Sequence, residues 1–265
     1  LEAWSAHPAL LLMGSDRTAY FDYEKRVSII SFNILLPESF PRTEATRSYA
    51  ARFGGRPMLH PHFVIQLLND VYGIQGRSGC SCTGPYGHRL FGMADAPGGS
   101  TINPLSAALR SVVLGNGENA AKLGWARVNF NYFIDDAEAK FVRDAVLQIA
   151  TDGWRLLPLY QIDPRSGQFV HRSFKRLDTL RSLAELQFDD DRACRYRVPC
   201  QDVTPLAHQQ VLADAAAIYE NAAEAVLFGT SEGAFGAEVD YSPPASAELL
   251  ECEWWCTPSA AAAQL

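Results

Sequence analysis

Between residues 27 and 150 the chain alternates short β-prone runs with helix-length apolar stripes, and proline, glycine or capping residues mark the joints. Such an order restricts the fold to an α/β sandwich, because each stripe must bury its apolar side against the sheet. Val27–Leu35 (VSIISFNIL), set between charges and Pro37, predicts a buried strand. Residues 37–57 read as a loop. Pro61 near the start and Gly73 just past the end bracket a helix over His60–Tyr72, with Phe63, Val64, Leu67, Leu68 and Val71 as its apolar stripe. A short strand is expected at Ile74–Arg77. Asn103 caps a second helix that opens on Pro104 and stops at Gly115. Trp125–Ile134 alternates, with Ala126, Val128 and Phe130 on one side and Trp125, Arg127 and Asn129 on the other. Asp135 and Glu138 form a capping box for a third helix, Asp136–Ala150. The sandwich should therefore carry its helices on one sheet face.

Outside that segment the signals change. Trp4–Leu12 reads as a connecting helix, giving a division into residues 1–24, 25–150 and a C-terminal extension, 151–265, of mixed α+β character. In the extension, strands are expected within Trp154–Tyr160 and Gly167–Val170, a short helix at Asp178–Leu186, and an acidic break at Asp189–Asp191. A long alanine-rich helix should cover Leu206–Leu227, followed by a loose tail. A net charge of -7 with mixed signs argues against a nucleic-acid partner. No stretch reaches the ~20 apolar residues of a membrane span. Six cysteines without a basic leader or cleavage site point to reduced thiols and a cytoplasmic setting.

The chemistry concentrates in Gly73–His88, where an arginine, two near-adjacent thiols and several glycines share one loop. Cys82 is the candidate nucleophile, since a thiolate is the reactive form and Arg77 or His88 would supply the positive charge that favours it. Cys80, two residues earlier, should face the other way, which disfavours a shared metal or an unstrained disulfide. Arg127, flanked on its strand face by Asn129 and Asn131, suits bidentate binding of a carboxylate. His60 and His62 bracket a helix start, where capping or a solvent-facing position accounts for them. The pairs Cys194/Cys200 and Cys252/Cys256 lack the spacing and partners of a zinc site. Nucleotide-binding, serine-hydrolase and zinc-protease motifs are absent.

Arg77-Ser78-Gly79-Cys80-Ser81-Cys82-Thr83-Gly84-Pro85 resembles the Arg-x-Gly-His-His-Cys-Ala-x-Pro loop of cysteine desulfurases and selenocysteine lyases, class V aminotransferase-fold enzymes that use pyridoxal phosphate. Ser31-Phe32-Asn33 resembles that family's Phe-Asn strand, His60–Gly73 its preceding helix, and Arg127 with Asp135 and Glu138 its later arginine segment. The resemblance covers roughly residues 25–150. It implies the small domain of a fold-type I enzyme, a short mainly antiparallel sheet with helices on one face. It also implies roles: Cys82 as the thiol that takes the substrate's sulfur, Arg127 as the α-carboxylate ligand, and Arg77 as an arginine near the amino-acid substrate. Cys80 and Ser81 stand where the family has two histidines, and Thr83 where it has alanine, so desulfuration and transamination both stay open. The family's cofactor lysine follows a histidine, and none of Lys25, Lys122, Lys140 and Lys175 does. The resemblance thus implies a C-terminal fragment, inactive alone, whose cofactor domain lies elsewhere and whose full-length form is a homodimer. Two other readings accompany it: a non-catalytic interaction or dimerisation module using the 206–227 helix, and thiol-redox or metal binding.

Overall fold

The computed structural model describes residues 1–14, 24, 26–95, 101–173, 205–231, 241, 242 and 244–265. The fold is mixed α/β, built on an antiparallel sheet in which β1 (Leu10–Leu12), β2 (Ile29–Leu35), β5 (Trp125–Asn129) and β4 (Arg77–Gly79) lie side by side in that order. A further short strand, β3 (Met58–Leu59), pairs with β2. On the face carrying Ile30, Phe32, Ala126 and Val128 sit α1 (Glu2–Ala6), α3 (Pro61–Tyr72) and α6 (Asp136–Asp152). Trp4 of α1 meets the Phe32 ring at 5.2 Å, and its indole N–H donates to the Arg143 carbonyl of α6 at 3.1 Å. On the opposite face, α4 (Gly84–Leu90) packs Gly87 against the Trp125 ring. Helices therefore touch both faces, where the sequence pattern suggested one.

The capped helices form as their ends dictate. Gly73 takes φ +68°, and the N–H groups of Gly73 and Ile74 close on the carbonyls of Asn69 and Leu68. Asn103 accepts from Leu105 and Ser106 at the start of α5 (Pro104–Arg110), which continues through a π turn to Gly115. Both arms of the Asp135/Glu138 capping box are made, at 2.7 and 3.1 Å.

Several expectations need correction. The helix expected over Trp4–Leu12 ends at Ala6, because Pro8 pushes His7 into extended backbone, and Leu10–Leu12 joins the sheet instead. The 37–57 loop contains α2 (Glu44–Tyr49), capped by the Thr43 hydroxyl. The strand expected at Ile74–Arg77 starts only at Arg77. β5 stops at Asn129, after which Tyr132 and Phe133 project into solvent. Residues 153–159 wind as a 3-10 helix, not a strand, before β6 (Tyr160–Ile162) pairs with β7 (Phe169–His171). The single long helix is two, α7 (Pro205–Glu220) and α8 (Ala222–Ser231). The expected helix at 178–186 and the acidic run 189–191 lie outside the described residues.

Residues 244–265 pack against the core, while residues 232–240 and 243 of the expected tail lie outside the described residues. Between α9 (Ala247–Glu251) and α10 (Pro258–Ala262), Trp254 is fully buried, stacks on His60 at 5.6 Å and donates to the Ala121 carbonyl. Trp255 bridges to Met58. One continuous apolar cluster runs from Trp4 through the sheet to Ala261, so the described residues after 150 share the core of those before it.

Candidate functional site

The loop after α3 is held by one close backbone approach and a left-handed glycine. Gly124 lies so near the end of β4 that a Cβ there would come within 2.5 Å of the Gly79 carbonyl carbon. Gly79 itself takes φ +93°. From this anchor the chain reverses through Cys80–Thr83, closed by the Thr83 N–H on the Cys80 carbonyl at 2.9 Å and by the Thr83 hydroxyl on the same oxygen at 2.6 Å. Both central residues have left-handed backbone, Ser81 at φ +50° and Cys82 at φ +65°. They are the only non-glycine residues of positive φ among the described residues. Each costs of order 1–3 kcal/mol, and strain of this kind collects at working sites. The Ser81 hydroxyl is also buried without a hydrogen-bond partner.

The turn sends its two thiols to different surroundings. Cys82 is exposed, and an Arg77 guanidinium nitrogen lies 3.7 Å from its sulfur. Cys80, half-buried, lines a cavity of about 160 Å³ with His88, Arg110 and Lys122. His88 is therefore not the charge beside Cys82. Its Nδ1 meets the Ser106 hydroxyl at 2.7 Å, and burial, followed by the Arg110 charge, lowers its pKa against the opposing pull of Asp95.

Arg77 and Arg127 stand directly opposite one another in the antiparallel ladder between β4 and β5. Directly paired residues have side chains on the same sheet face, with Cα atoms about 4.5–5.5 Å apart. Arg127 is half-buried and Arg77 exposed, and among the described residues neither has a carboxylate within 4 Å. Ser31 of β2 completes the row across three strands. Two positions along β2 on the same face, Asn33 is buried, donates to the Gly124 carbonyl at 3.0 Å, and keeps its Oδ1 without a partner. The structure thus brings Arg77, Arg127 and Cys82 together.

The histidine pair is structural. His60 accepts the His62 N–H on Nδ1 and so donates from Nε2 to the Ala120 carbonyl. Complete burial, then the neighbouring His62, hold its pKa well below the ordinary value, with the Ala120 carbonyl opposing them. Cys252 meets the Tyr49 hydroxyl at 3.3 Å, and Cys256 donates to the Thr257 carbonyl. Cys194 and Cys200 lie outside the described residues, among which no cluster of histidine, cysteine or acid would hold a metal ion. No described helix is long and apolar enough to cross a membrane. A groove of about 690 Å³ is lined by Trp4, Phe130 and Lys140, away from the arginine pair.

Sequence reasoning located Cys82, Arg77 and Arg127 but missed their geometry. It also missed the unpartnered Asn33 and Ser81 oxygens and the Cys80 cavity, none of which leaves a local sequence signal. What the fold and site define is a mixed α/β protein with a paired-arginine face beside an exposed thiol on a strained turn. Compared with known proteins, the chain matches no family model, no curated protein and no solved structure.

Proposed function

We propose that this chain carries the carboxylate-binding and thiol-bearing part of an amino-acid enzyme of the class V pyridoxal-phosphate kind. The observation that carries the reading is the direct cross-strand pairing of Arg77 with Arg127, with no acid beside either among the described residues and Cys82 next to Arg77. Like charges placed directly opposite repel, so an unpaired arginine couple persists at a cost that a bound anion removes. Two guanidinium forks side by side match the two oxygens of an α-carboxylate. Cys82, set on the turn at the edge of this face, is positioned to receive sulfur from a substrate held there. Both desulfuration and transamination use the carboxylate clamp, and only the first requires the thiol.

Two of the chain's four lysines, Lys122 and Lys140, fall among the described residues. Lys122 lines the Cys80 cavity and Lys140 the groove on α6, and neither belongs to the arginine face. Lys25 and Lys175 lie outside the described residues. The reading therefore assigns the cofactor lysine and its domain to a separate unit, and the full enzyme to a homodimer.

Titration of the chain with L-alanine and with L-alaninamide, followed by backbone amide NMR, tests the clamp. Shifts at residues 77–83 and 125–129 are expected with L-alanine only, and Cys82→Ala should retain them. Equal shifts with the amide would exclude carboxylate recognition.

A further inference from the structure

The cavity behind the turn differs in chemistry from the arginine face. Its floor is aliphatic, with Leu109 and Leu123, and its polar lining is the Cys80 thiol, His88, Arg110 and Lys122. Among the described residues no carboxylate lines it. Arg110 is already engaged by Asp95, at 3.1 and 3.5 Å, whereas Lys122 is exposed and has no acid within 4 Å among the described residues. The net demand of the cavity is one negative charge. His88 has one ring nitrogen occupied by Ser106, which leaves Nε2 to meet a ligand. At about 160 Å³ the space is about half the lower limit of a drug-sized pocket, so it selects a molecule of a few carbons.

We propose that this cavity is a second ligand site, distinct from the arginine pair, that takes a short-chain aliphatic carboxylate. The carboxylate meets Lys122 and His88, and the alkyl group rests on Leu109 and Leu123. A ligand there lies against Cys80 and covers its thiol. Occupancy also presses on the inner arm of the strained turn whose other arm carries Cys82. The site stands on its own residues and does not depend on the amino-acid reading of the arginine face.

The probe is 3-methylbutanoate, with 3-methylbutanamide as its uncharged counterpart. In the Cys82→Ala protein, alkylation of Cys80 by iodoacetamide is followed by peptide mass mapping. Methyl NMR of Leu109 and Leu123 reports binding independently of thiol reactivity. At saturating carboxylate, Cys80 alkylation is expected to slow at least threefold and both leucines to shift, while the amide leaves both unchanged. Lys122→Gln, a change at an exposed side chain, should abolish protection and shifts together. Arg127→Met should leave them intact, which separates this site from the clamp. Unshifted leucine methyls with unprotected Cys80, or equal protection by the amide, overturns the proposal.

Discussion

Replacing Arg127 with methionine keeps the aliphatic stem and removes the charge. If the arginine pair is held apart only by its surroundings, this change should make the protein more stable. For two unit charges about 6 Å apart, Coulomb's law gives about 0.7 kcal/mol of repulsion in water and about 2.8 kcal/mol at an effective dielectric near 20. Arg77 is exposed and Arg127 half-buried, which places the net effect near the lower figure, at about 1 kcal/mol. The screening length falls from about 30 Å at 0.01 M salt to about 3 Å at 1 M. Urea unfolding should therefore show Arg127→Met about 1 kcal/mol more stable than the parent at 0.01 M salt, and nearly equal to it at 1 M. The same variant should lose the L-alanine response. A variant less stable than the parent at both salt concentrations refutes the reasoning, because it would mean that Arg127 is satisfied within the fold and not held for a ligand.

Ser81→Gly relieves left-handed backbone and deletes a buried hydroxyl without a partner, against the extra chain entropy of glycine. A net gain of about 1 kcal/mol in urea unfolding is expected, and a loss would show that the hydroxyl is used. Stability should also fall on mild acidification. The buried His60 stays neutral in the fold, whereas the unfolded chain takes up a proton near pH 6.5, so its contribution is complete above that pH and is lost as the pH drops. For a site that stays neutral in the fold, the loss between pH 7.5 and pH 5.5 is about 1.4 kcal/mol. Unfolding midpoints that do not move between pH 7.5 and pH 5.5 would contradict the tautomer and burial assigned to it.

Local chemistry made half of this fold legible. Pro61 with Gly73, Asn103 with Pro104, and Asp135 with Glu138 each settle a helix end through hydrogen bonds within a few residues, and each appears where its sequence places it. The failures are non-local. Leu10–Leu12 carries a helical-looking apolar run, yet the edge of β2 takes it as a strand once Pro8 has ended α1. The alternation after Asn129 continues in sequence, but β2 begins at Ile29, and past that pair comes one further bond, from the Phe130 N–H to the Ser28 carbonyl at 2.9 Å. Trp254 and Trp255 sit in short, weakly helical sequence whose order comes from Met58, His60 and Ala121, some 130 to 200 positions away. Among the site residues, the chemistry of Cys82 and Arg127 showed in composition and spacing. That Arg77 faces Arg127 depends on the register of two strands nearly 50 residues apart.

The same distinction explains why the two thiols, so alike in sequence, differ in the fold. An extended Cys-Ser-Cys segment would place them on the same side of a strand, with no difference between them. The turn adds one, because its two left-handed residues fold the chain back. Cys82 then lies beside Arg77, while Cys80 stays at the anchored arm among Leu109, Leu123 and Lys122. The anchor is the contact between Gly79 and Gly124, where a Cβ on Gly124 would run into the Gly79 backbone. Gly124 immediately precedes the strand that carries Arg127, so one backbone contact ties the position of the thiol turn to that of the arginine clamp. Glycine is needed at 124 for distance and at 79 for its φ of +93°, and the strain at Ser81 and Cys82 is tolerated because the turn starts from this fixed point.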